Sequence, residues 1–114
     1  MVHTLTVRQI AAIAARIADD ALYDLPYAAE GGEAEAAGTT DWDDGTHTAE
    51  ISWTCTAHGT WDDTTGCHDP LDIRLDITAA ELLDWDDDGT RATDVTDPAT
   101  VRAIERAAGA MLAP

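Results

Sequence analysis

The chain has 114 residues, close to the modal size of one domain, so a single compact core is expected. Asp and Glu number 23 against 6 basic residues, all arginine, for a formal net charge of -17. That field repels phosphate polyanions and anionic lipid, which argues against direct binding to DNA, RNA or a membrane surface, and it attracts cations and basic proteins.

Residues 1–21 are interrupted by His3, Arg8, Arg16, Asp19 and Asp20, unlike the unbroken apolar run of a signal peptide or membrane span. A cytoplasmic location is the expectation. Thr6 and Gln9 have capping-box spacing, and Val7, Ile10, Ala14, Ile17, Ala21 and Leu25 follow at helical period, so an amphipathic helix is expected to end before Pro26. Residues 28–45 are rich in Ala, Gly and Glu without an apolar period and read as a long acidic loop or a partly mobile excursion.

From Thr46 to Cys55 the residues alternate, with His47, Ala49, Ile51, Trp53 and Cys55 on one side and Thr48, Glu50, Ser52 and Thr54 on the other. Leu71, Ile73, Leu75 and Ile77 alternate in the same way against Asp72, Arg74 and Asp76, and a short strand is expected at 60–62. An antiparallel meander is the simplest sheet. Thr78 and Glu81 repeat the capping-box spacing ahead of Leu82, Leu83 and Trp85 and predict a short helix, followed by an acidic loop over 86–96. Asp97 and Pro98 then open a C-terminal helix with Val101, Ile104, Ala108 and Met111 as its stripe. The fold class is α+β: an N-terminal amphipathic helix, a small antiparallel meander, a short helix and a C-terminal helix in one domain spanning 1–114.

Three segments, around Trp42, Trp61 and Trp85, each place an indole beside an acidic turn. The plain reading is that the indole anchors the base of a turn built from Asp and Gly. Asp84, Asp86 and Asp88 with Gly89 match part of a calcium loop following a helix, but Val95 stands where the pattern needs a bidentate Glu. Cys55, His58, Cys67 and His68 are candidate zinc ligands. Cys55 also shares parity with Ile51 and Trp53, as a buried thiol would, and a Cys55 to Cys67 disulfide is a further alternative.

No nucleophile elbow, phosphate-cradling glycine loop or lysine is present, and nothing fixes His58 or His68 as a general base, so the chain is not expected to be an enzyme. The favoured function is an acidic interaction protein, of inhibitor or immunity type, whose carboxylates mimic a nucleic acid. Its partner is then a basic nucleic-acid-binding enzyme or defence complex. The partner-binding residues expected from sequence are Asp62, Asp63, Asp69, Asp72 and Asp76, joined by Asp84, Asp86, Asp87 and Asp88. The alternatives are a small halophile-adapted domain and a small zinc or calcium module.

Overall fold

Thr6 opens the first helix as a capping box requires: the Gln9 amide donates to Thr6 Oγ1 at 3.1 Å and the Thr6 amide to Gln9 Oε1 at 2.8 Å. In the computed structural model, which describes residues 5–24, 33–58, 61–62, 67–68 and 72–112, this helix is α1 (Val7–Asp24). Leu5, before the cap, is buried, and Ile10 packs against the same core one turn on, a pairing that fixes how the chain enters the helix. Ile13, Ala14, Ile17, Ala18 and Ala21 form the buried stripe. Val7, expected on that stripe, is 84% exposed, while Leu5 before the cap is buried. Leu25 lies outside the described residues.

The sheet contains β1 (Glu33–Asp43), β2 (His47–His58), β5 (Asp72–Trp85) and β6 (Ala92–Asp94), antiparallel throughout in the order β1-β2-β5-β6. Between β2 and β5 the chain forms a separate two-stranded ribbon, β3 (Trp61–Asp62) with β4 (Cys67–His68). The expected strand around 60–62 is thus present. The C-terminal helix, α2 (Pro98–Leu112), starts where expected, with the Thr100 amide and hydroxyl both donating to Asp97 Oδ2 at 3.2 Å. Its buried residues are Thr100, Ile104, Ala108 and Leu112. Val101 and Met111 therefore lie off the stripe, and Met111 is 45% exposed.

Both helices pack on one face of the sheet and against each other. In β2, Ala49, Ile51, Trp53, Cys55 and Ala57 are all buried under them, whereas Glu50 and Thr56 are exposed on the opposite, open face. This is the alternation that the sequence carries. No helix among the described residues is long and apolar enough to cross a membrane.

Two expectations are corrected. The segment expected as a loop over 28–45 contains an eleven-residue strand, β1, from residue 33 to 43. Its composition follows from what it packs against: Gly38 lies opposite Trp53, and a Cβ there would stand 2.9 Å from the indole Cζ2. The large ring supplies the apolar surface and the small residue makes room for it. The short helix expected after Thr78 is also absent, because β5 runs on to Trp85. Trp53 pairs with Ile77 but Ser52 pairs with Ala79, so Thr78 is an extra residue in a β-bulge. The bulge shifts the alternation by one, which brings Leu82 to the buried face beside Ala49.

Candidate functional site

The open face gathers carboxylates in rows. Register sets Glu50 directly opposite Asp41 on one side and Glu81 on the other, so three exposed acids from three strands form one transverse row. Neighbouring strands are roughly 4.8 Å apart. The next row toward the β1–β2 turn holds Asp43, Thr48, Leu83 and Asp94. An open cleft of about 550 Å³ lies at this end of the sheet, lined by Asp41, Asp43, Thr48, Glu50 and Glu81 and also by Trp42, Ala49 and the cationic Arg16 of α1 from the helix-facing side. Trp85 closes this end of the face, its indole N–H donating to Thr48 Oγ1 at 2.9 Å. Like charges directly opposite each other on a sheet oppose folding, so packing does not account for the row.

Two acidic turns border it at the same end of the sheet, linked by a hydrogen bond from the Trp85 amide to Thr46 O at 2.8 Å. In the first turn, Gly45 has a φ of +92°, and Asp44 ties the hairpin together. Its Oδ1 accepts from the amides of Thr46 and His47 at 2.9 and 2.7 Å, and its Oδ2 from Gln9 Nε2 at 3.0 Å. Desolvation pushes this carboxyl upward, but the hydrogen bonds from Gln9, His47 and Thr46 outweigh it and hold Asp44 well below the usual carboxylate range. The same Gln9 amide group lies 3.1 Å from His47 Nδ1, so the cap of α1 is fastened to the hairpin.

In the second turn, Asp86 accepts from the Thr90 amide at 2.9 Å and from its hydroxyl at 3.3 Å. The Thr90 amide is the main cause of its lowered carboxyl pKa. Asp94 is lowered by the hydroxyl and amide of Thr96. These carboxylates are held ionised by local turn chemistry.

The structure divides the residues expected to bind a partner. Asp76 is on the open face, where Arg74 Nε lies 3.4 Å from its carboxylate and offsets its charge. Asp84 is on the helix-facing side opposite His47, whose Nε2 lies 3.5 Å away. Asp86 closes a turn, with Asp87 and Asp88 exposed beside it. Asp62 and Asp72 occupy strand positions opposite Cys67 and His58, and their side chains, like Asp63 and Asp69 as a whole, lie outside the described residues. The row that the structure does bring together, Asp41, Glu50 and Glu81, was not among the expected residues. Its signal was the aromatic and β-branched run from Thr39 to Trp42 leading into the Asp44-Gly45 turn, a hairpin pattern.

Of the expected zinc ligands, Cys55 is a free thiol buried in the core, and burial pushes its pKa up. The side chains of His58, Cys67 and His68 lie outside the described residues. Among the described residues, no three His, Cys, Asp or Glu side chains are grouped to hold a metal ion. The calcium-like segment follows a strand instead of a helix, and both Asp86 carboxylate oxygens accept from Thr90. Compared with protein-family models, with curated proteins and with solved structures, the chain matches none.

Proposed function

We propose that this is a non-enzymatic acidic interaction protein whose open sheet face presents carboxylates to a basic, nucleic-acid-binding partner, as an inhibitor or immunity-type protein would. The observation that carries the reading is the row Asp41, Glu50 and Glu81, placed side by side across three strands. Asp41 and Asp43, two residues apart on one strand, add charges roughly 6.6 Å apart along the sheet. A patch of this density offers a DNA-binding groove a substitute for the phosphates of a duplex, which carries one charge per roughly 1.7 Å of axis. Adaptation to concentrated salt accounts for a high net charge, but it gives no reason to set like charges opposite one another when Thr48 and Ser52, on either side of Glu50 on the same face, are neutral.

The test is competition. A basic partner captured in dilute salt should be displaced by duplex DNA and released as salt rises. The triple variant Asp41→Asn, Glu50→Gln, Glu81→Gln should lose it. Capture that survives the triple variant, or that duplex DNA does not affect, overturns the proposal.

A further inference from the structure

The two long edges of the sheet differ. Along β5, the outward amide of Leu82 donates to Thr96 Oγ1 at 2.8 Å, and the Val95 amide donates to Leu82 O, also at 2.8 Å. The Ile77 amide donates to Glu105 Oε2 of α2 at 2.8 Å, and β6 pairs with Leu83, Asp84 and Trp85. That edge is engaged at Ile77 by Glu105 of α2 and from Leu82 to Trp85 by Thr96 and the short strand β6, with a bulge between, and these are devices that protect a sheet from further pairing.

Among the described residues the β1 edge has no bulge, covering strand or capping side chain, and its protection is the charge of Glu35, Asp41 and Asp43. Asp44 N–H donates to His47 O at 3.1 Å, which fixes the phase of the ladder: even-numbered residues of β1 direct their backbone groups to β2. Glu33, Glu35, Ala37, Thr39, Asp41 and Asp43 therefore direct theirs away from the sheet. Among the described residues nothing hydrogen-bonds to these outward groups, and β1 contains no proline. The row extends over roughly 33 Å.

We propose that the free edge of β1 is a docking site for an extended, cationic segment of a partner protein, which adds to the sheet as a further antiparallel or parallel strand. Charge selects this occupant over a second copy of the chain. An antiparallel pairing of two β1 strands centred on Gly38 sets Glu35 opposite Asp41 and Glu33 opposite Asp43, and a parallel in-register pairing sets each acid beside itself. Both arrangements are repulsive. A strand with Lys or Arg at alternate positions reverses the sign at Glu35, Asp41 and Asp43 while its backbone takes up the outward N–H and C=O groups of β1. Backbone pairing then gives affinity, and the carboxylates give selectivity and orientation. The inference rests on the proposed basic partner, and it specifies how that partner is held.

The probe is a peptide as long as β1 that alternates lysine with valine, compared with the same peptide N-methylated at every second residue on either edge. Methylation blocks backbone pairing and keeps the charge. In dilute salt the unmodified peptide should bind at least about tenfold more tightly than the methylated forms. It should slow amide exchange at Glu35, Ala37, Thr39 and Asp41 and leave Ala36 and Thr40, already paired to β2, unchanged. Ala37→Pro removes one outward N–H at an exposed edge position where proline is tolerated, so it should weaken binding with the fold retained. The change in amide exchange keeps the test decisive if that variant is unstable. Equal binding of methylated and unmodified peptides, or binding without protection of the odd-numbered amides, overturns strand addition and leaves the acidic interaction face standing. Failure of every cationic peptide to bind overturns both.

Discussion

Thr40 connects three parts of the core. It accepts a hydrogen bond from the Trp53 indole N–H at 2.9 Å and donates one to Asp20 Oδ2 at 2.7 Å, joining β2 through β1 to α1 while only 1% exposed. Thr40→Val preserves the shape and strands the indole N–H without an acceptor, a loss of about 1–3 kcal/mol in denaturant unfolding, whereas Thr40→Ser should recover most of it. Gly38→Ala tests the other side of the same ring. In an open strand this change is favourable, but here the new Cβ would meet Cζ2 at 2.9 Å and Cη2 at 3.3 Å of an indole held by its hydrogen bond. The expected outcome is destabilisation of about 1–3 kcal/mol, and a gain in melting temperature would show that the ring is free to move. Asp44 predicts a pH effect. A carboxyl whose pKa is depressed by folding stabilises the native state above its unfolded value of about 3.9, and that contribution fades as pH falls toward the folded value. Asp44→Asn should therefore cost stability at pH 7, and the gap from the parent protein should narrow progressively as pH falls below about 4.

At the scale of elements, the parts legible in the sequence were those whose own residues carry the period: the capped α1, the alternating β2, the first half of β5 and the Asp97-Pro98 start of α2. β1 was hidden because its small residues, Ala36 and Gly38, answer to the ring of Trp53 on another strand, and a partner's shape leaves no period in the strand that accommodates it. The end of β5 was hidden for a different reason. Ala79, Ala80, Glu81, Leu82 and Leu83 are mostly good helix formers, and the bulge at Thr78 breaks the alternation that would have identified a strand. With both strands unseen, Glu50 stood alone on an exposed face, and its neighbours Asp41 and Glu81 read as loop and helix residues. The bulge also makes a prediction. Deletion of Thr78 leaves Ala80 and Leu82 facing the core in their present register, so the domain should still fold with a modest loss of stability. Deletion of Thr54 from β2, which has no spare residue, turns Cys55 and Ala57 to the open face and should abolish the cooperative transition seen by circular dichroism.

Among the described residues the charge is uneven: Asp41, Asp43, Glu50 and Glu81 gather at one end of the open face, with Arg74 beside Asp76 further along it and Arg16 lining the cleft, while Arg102 and Arg106 lie together on α2 behind the sheet. Screening separates a general explanation of this acidity from a local one. The Debye length falls from about 10 Å at 0.1 M salt to about 3 Å at 1 M, so the melting temperature should rise with KCl under either explanation. Single neutralisations are more discriminating. If the charge is distributed for solubility alone, Glu50→Gln should be worth no more than Asp87→Asn in the exposed turn, since each removes one charge from a total of -17. If the row is a built surface kept at the expense of stability, Glu50 opposes two carboxylates at once, and its neutralisation should stabilise the domain at low salt by up to about 1 kcal/mol. Asp87→Asn should be near neutral, and the advantage of Glu50→Gln should vanish at 1 M salt. The same substitution should weaken a basic partner, so low-salt stability and binding move in opposite directions at one residue. That opposition is expected where a surface is shaped for a ligand that is not part of the fold.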